Sequence, residues 1–227
     1  MVMVLVVLSF VVFIALDYFV FSKRPAEASS PAFARAAARE PLPAVRQGMP
    51  SGVYLQPTFT WSRLGAAGEV YLGVHPMLVA LVGEPCEYEL RGEGETVRSG
   101  EPLLRLGLGR RHLTVRSPIA GRVEHVNRIP TGETRWRDLE ANNGGWLYRI
   151  RPAVAVEGDS TWMVGERAVE WTGRQYGRLR EFLQAARADG HLGVVMADGG
   201  ELPVGILQDL DESVWEGLED RFLTPVA

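Results

Sequence analysis

The chain divides by how its apolar residues are spaced. Residues 2–22 form one apolar run whose only charge is Asp17. At ~1.5 Å of rise per residue, a helix over this run spans the roughly 30 Å core of a bilayer. Residues 25–52 are rich in Pro, Ala and Ser and offer little to bury, so they read as a flexible linker. From 53 to 152, short apolar runs separated by Gly, Pro and Asn predict six antiparallel strands in a small barrel or sandwich. A short helix is expected from His75 to Ala80 and another over Arg137 to Ala141. From 153 to 227 the spacing turns helical, giving a small α+β extension that packs on the β domain. A helix over 166–188 carries Trp171, Leu179, Phe182, Leu183 and Ala186 near one face. A strand over 191–196, a tight turn at Asp198-Gly199-Gly200 and a helix over 211–223 follow, the last with Val214, Trp215, Leu218, Phe222 and Leu223 as its apolar stripe. Asp209 and Glu212 have the spacing of a capping box at its start.

Charge orients the apolar run. Lys23, Arg24, Arg35, Arg39 and Arg46 all follow it and no basic residue precedes it. The positive-inside rule then places residues 23–227 in the cytoplasm, with residues 1–24 as a single-pass anchor in the cytoplasmic membrane. A cleaved signal peptide is the competing reading, but the run lacks a positive leader and is longer than a usual signal core. Asp17 reads as reaching the interface near Lys23; a polar contact with another membrane helix is the alternative.

Composition removes several kinds of chemistry. A net charge of −4 over 227 residues leaves no basic field for nucleic acid. One cysteine, Cys86, allows no intramolecular disulfide and no cysteine-based metal site, and is read as a small core residue. His75, His112, His125 and His191 have no metal-ligand spacing, so no metal is expected. No Ser/His/Asp set or other acid–base constellation supports an enzyme. Of the 24 basic residues only Lys23 is a lysine, so beyond it no Schiff base, biotinyl-lysine or lipoyl-lysine can form.

Between 59 and 152 a series of short motifs occurs in order: Thr60-Trp61, Gly68 to Val74, His75-Pro76, Val82-Gly83, Tyr88-Glu89-Leu90, Gly94 to Val97, Gly100-Glu101-Pro102, Ser117 to Val123, Val126-Asn127 and Gly145 to Pro152. Together they resemble the glycine cleavage system H protein, at that family's spacings and with no gap needed between Asn127 and Gly144. The resemblance implies a lipoyl-type barrel-sandwich hybrid over 53–152. It also implies that the family's lipoyl lysine, in E-S-x-K-A on an exposed hairpin, falls at Arg110, with Gly107 in place of the glutamate. A guanidinium stays protonated and is not the amine nucleophile that acyl attachment needs. The resemblance therefore implies the fold and denies the carrier chemistry, and no cofactor is expected.

The altered hairpin, Leu106 to Leu113, crowds Arg110, Arg111 and His112 at its tip, with Gly107 and Gly109 expected to permit a positive φ. Two readings stand. In one, the tip is a docking surface offering guanidinium groups to carboxylates, phosphates or lipid headgroups. In the other, its charges are simply solvated. The sequence as a whole reads as a non-catalytic binding or scaffolding subunit of a membrane-associated complex, with protein partners. The alternative is an accessory factor that docks on the enzymes of glycine cleavage or other lipoyl-dependent metabolism.

Overall fold

A computed structural model describes residue 42 and residues 50–83, 87–127, 145–156, 161–186 and 201–224. The expected helix over 137–141, the strand over 191–196, the Asp198 turn, Cys86, His191 and Lys23 lie outside them, as does the apolar run with Asp17. Among the described residues no helix is long and apolar enough to cross a membrane.

The domain from 53 to 152 is mainly β, and every strand pair is antiparallel. It holds nine strands among the described residues, where the sequence pattern suggested six. They are β1 (Val53–Gln56), β2 (Thr60–Leu64), β3 (Val70–Val74), β4 (Glu87–Leu90), β5 (Thr96–Val97), β6 (Pro102–Leu108), β7 (Arg111–Arg116), β8 (Gly121–Val126) and β9 (Tyr148–Pro152). Two apolar runs each conceal a reversal. The run over 52–61 turns back at Pro57 to Phe59, so that Leu55 pairs with Trp61. The run over 112–126 breaks at Ser117-Pro118, where proline cannot donate to a ladder. The ninth strand, β5, is too short to show a period.

The strands form a six-stranded sheet, in the order β1-β2-β3-β9-β8-β5, and a three-stranded one, β4-β6-β7. Tyr148 joins the two. Its hydroxyl donates to the Leu103 carbonyl at 2.7 Å and accepts from the Arg91 N–H at 2.9 Å. Burial holds that phenol well above its ordinary pKa, so it remains a donor at every working pH. Between β2 and β3, Gly73 lies directly under the Trp61 indole; a Cβ there would stand 2.2 Å from the ring.

Helix α1 (Pro76–Val82) forms where the sequence placed it. His75 caps it, accepting the Met77 N–H on Nδ1 at 3.1 Å, and proline at the first helical position loses no needed hydrogen bond. Its residues Met77 to Val82 are all buried, so this helix is core rather than cover. Phe59 is the one non-glycine among the described residues with a positive φ, 56°. Its ring is held between His75, at 6.3 Å, and Trp171, at 5.0 Å between centroids.

The C-terminal extension packs on the β domain, as expected, and the two share one core. Helix α2 (Gly165–Ala186) buries Ala168, Trp171, Thr172, Gln175, Leu179 and Leu183, while Phe182 and Ala186 are only half-buried. Leu55 and Met163 exchange backbone hydrogen bonds at 2.8 and 2.9 Å, tying the approach to α2 onto β1. A 3-10 turn, Ile206–Asp209, leads to α3 (Glu212–Leu218), which widens into a π turn over Glu219–Leu223. The expected stripe of Val214, Trp215, Leu218, Phe222 and Leu223 is buried throughout. The expected capping box does not form. The 3-10 turn takes up Asp209, the N-cap falls on Asp211, and its side chain makes no capping hydrogen bond.

One residue of the presumed linker belongs to the folded body. Leu42 is buried, and its N–H donates to the Leu202 carbonyl at 2.7 Å. An apolar residue in a Pro/Ala-rich stretch gave no periodic signal of this.

Candidate functional site

The β6–β7 hairpin closes through the two-residue turn Gly109-Arg110, flanked by the pair Leu108 and Arg111. Gly109 has φ +61° while Arg110 keeps a negative φ, the pattern of a turn whose first central position calls for glycine. Gly107 is glycine for a different reason than the one expected. It is not left-handed; it pairs with His112, and a Cβ would stand 2.1 Å from the Arg111 carbonyl oxygen. The strands thus approach too closely there for the glutamate of the family motif.

The three singled-out residues have different surroundings. Arg110 and His112 are exposed, and the His112 Nδ1 lies 3.3 Å from the Arg110 carbonyl. Arg111 is not free at the tip. Its guanidinium donates to the carbonyls of Gln208, at 3.1 Å, and Leu210, at 2.5 Å, and its carbon lies 5.7 Å from the Trp215 ring centroid. Of the two tip arginines, Arg111 is therefore tied into the fold, while Arg110 is exposed. The guanidinium fork serves two carbonyls at the end of the 3-10 turn.

A second link runs along β7. The Glu219 carboxylate accepts the Thr114 N–H at 2.9 Å, covering part of the outer edge of the strand. Trp215 is fixed from behind by its indole N–H, which donates to the Leu207 carbonyl at 2.9 Å. Between hairpin and helix runs a groove of about 370 Å³. Arg110, Arg111 and His112 form one wall; Glu212, Glu216, Glu219 and Asp220 form the other, with Trp215 between them. Helical spacing sets those four acids apart from the apolar stripe of the last helix. Glu212, Glu216 and Asp220 are exposed, but Glu219 is half-buried and serves β7. Its role was not visible in the sequence, because Thr114 lies 105 positions away.

Several other charged groups are paired with one another. On the outer face of the six-stranded sheet, Arg149 and Arg151 share the Glu124 carboxylate at 3.4 and 2.9 Å, and Arg63 lies over the Tyr71 ring. His75 is fully buried with its Nε2 3.4 Å from the Thr172 hydroxyl, and desolvation pushes its pKa down to about 4. It is a packing and capping residue. Among the described residues no cluster of three His, Cys, Asp or Glu could hold a metal ion.

No family model matches the chain. It is 30% identical over 97 residues to a glycine cleavage system H protein of Chromobacterium violaceum, covering 43% of this chain and 76% of that protein. It is 27% identical over 90 residues to the glycine cleavage system H protein of Xanthomonas oryzae pv. oryzae, covering 40% of this chain and 69% of that one. The crystal structure of a glycine cleavage system H protein from Mycobacterium marinum superimposes with a TM-score of 0.45 at 22% identity, over 55% of this chain and 99% of that one.

Proposed function

The chain belongs to the glycine cleavage system H protein family, and from that premise we propose that it is a member without the lipoyl group, acting as a membrane-anchored binding or scaffolding subunit. The observation that carries this is Arg110. It occupies the second position of the hairpin turn, where the family's resemblance puts the acylated lysine, and no lysine follows Lys23 anywhere in the chain. A guanidinium can grip a carboxylate or a carbonyl through several N–H donors, but it is not acylated as an amine is.

What remains of the carrier is its presenting device, a hairpin that carries polar groups on a rigid turn. Here the rigidity is reinforced. Arg111 and Glu219 fasten the hairpin to the last helix, so the tip and the helix present one surface with a groove in it. In this reading the exposed Arg110 and His112 are the contacts left to a partner protein. Residues 2–22 hold the chain in the cytoplasmic membrane, with the folded body on the cytoplasmic side.

Intact mass of the native full-length protein tests the first half. It should equal the unmodified polypeptide, and a lipoyl-sized increment on any fragment beyond residue 50 would end the proposal. Co-purification in mild detergent tests the second half. The double variant Arg110→Ala, His112→Ala should fold normally and lose the partner; retention of the full partner set at physiological salt would leave the tip a solvated turn.

A further inference from the structure

Two attachments limit how far the hairpin tip can lie from Leu42, the described residue from which the chain leads back toward residue 2. Leu42 is bound to Leu202, and Gln208, six residues further on, accepts from Arg111. Six residues reach at most about 20 Å when extended, and coiling of Ile206–Asp209 shortens that path. Arg110 adjoins Arg111, so the groove opens within that path and a side-chain length of the point where the chain leaves toward residue 2. If residues 2–22 span the bilayer, only residues 23–41 separate it from Leu42. A random-coil chain of that length has an end-to-end distance of roughly 25 Å.

The charges around the groove are no longer those of the tip alone. Arg111 is hydrogen-bonded to Gln208 and Leu210, and Glu219 to Thr114, and their opposite charges offset one another. Facing the groove from outside these bonds are Arg110 and His112 on one wall and three carboxylates, Glu212, Glu216 and Asp220, on the other. The carboxylates are spaced i, i+4, i+8, on the helix and the turn that continues it. The open groove therefore carries net negative charge, opposite to what the tip sequence suggests. An anionic lipid surface is repelled by it. Cytoplasmic flanks of membrane-spanning helices carry an excess of Lys and Arg, and a chain anchored in the same membrane meets them on that face.

We propose that this groove receives the basic cytoplasmic flank of a second, integral membrane protein. Its Lys or Arg residues lie along Glu212, Glu216 and Asp220, and Arg110 takes a carbonyl or carboxylate of the same segment. This rests on the anchored, tip-docking reading above and names the chemistry of its partner.

The test uses the full-length chain reconstituted in vesicles. It is paired with a single-span peptide whose cytoplasmic flank carries four Arg, or four Gln in the same places, and association is read by energy transfer. The Arg-flanked peptide should associate at least tenfold more tightly than the Gln-flanked one, with the difference shrinking in high salt. The variant Glu212→Gln, Glu216→Gln, Asp220→Asn should lose most of that difference. In parallel, a fluorophore at position 110 should be quenched by headgroup-labelled lipid more than one at position 125 on the outer face of β8. Equal binding of both peptides, an unchanged difference in the triple variant, or equal quenching at the two positions would overturn the inference. If the chain is washed from the membrane by alkaline carbonate, the anchored reading itself fails. A retained chain indifferent to flank charge sinks only the partner assignment.

Discussion

The Arg111 guanidinium sits over the Trp215 ring, 5.7 Å from its centroid, while donating to the Leu210 carbonyl. A residue beside the hairpin turn is thereby fastened to a buried residue of the last helix, and the tip cannot move without that helix. Hydrogen bonds from a charged group contribute about 1.5–3 kcal/mol each, and the ring contact about 0.5–1 kcal/mol at a part-exposed site. Arg111 is only half-buried, and solvent screening discounts these figures, so Arg111→Ala should lower unfolding free energy by about 2–3 kcal/mol in urea. Arg110→Ala should stay within about 0.5 kcal/mol of the parent. Equal midpoints for the two variants would show that the fastening contributes nothing.

Tyr148 offers a test of how the two sheets are joined. Tyr148→Phe keeps the buried ring and removes the hydroxyl shared by Leu103 and Arg91. Leaving a donor and an acceptor without their partner costs about 1–3 kcal/mol. The denaturant slope should be unchanged, since the surface exposed on unfolding is the same. A loss below about 0.5 kcal/mol would mean that other groups take over both bonds.

Which parts were legible follows from the range of the interactions. The buried stripe Val214, Trp215, Leu218, Phe222 and Leu223 was readable because helical spacing is local. So was the helix after His75, through Pro76 and its neighbours. The reversal at Phe59 was not, because the rings that flank it, His75 and Trp171, are distant in sequence, Trp171 by more than a hundred residues. The same limit hid the site. Arg110 was found through motif spacing, but the partners of Arg111 and Glu219 lie 99 and 105 positions away in the chain and leave no pattern in it. Leu42 escaped for lack of periodic neighbours.

Gly73 and Gly109 should fail differently on substitution. Gly73→Ala forces a methyl to within 2.2 Å of the Trp61 ring, and two paired strands must part to admit it. Overpacking of this kind costs about 1–3 kcal/mol or more. At Gly109 nothing lies within 4 Å of a Cβ, and the cost is only the positive φ, about 1 kcal/mol. Thermal unfolding should order the variants Gly73→Ala, then Gly109→Ala, then parent, from least to most stable; a reversed order would contradict the close packing of β2 on β3.

His75 gives the molecule a pH dependence whose sign can be worked out. In the folded chain its pKa is pushed down to about 4 by burial, against about 6.5 in the unfolded chain. Between those values the unfolded state binds the proton and the folded state does not. Stability is thus full above pH about 6.5, falls as the pH drops toward 4, and loses nothing further from this residue below that. At 1.36 kcal/mol per unit, the loss across the window is on the order of 3 kcal/mol. Protonation also removes the lone pair on Nδ1 that accepts the Met77 N–H, so the start of α1 loses its cap. His75→Asn can keep a capping acceptor while removing the titration. It should be less stable than the parent at pH 7, because the ring contacts with Phe59 and Trp171 are lost, yet show a shallower decline toward pH 4. Urea titrations of both proteins at half-unit steps between pH 7 and 4 measure this directly. The carboxylates contribute equally to both curves, so parallel declines would show that the histidine is not the group that titrates.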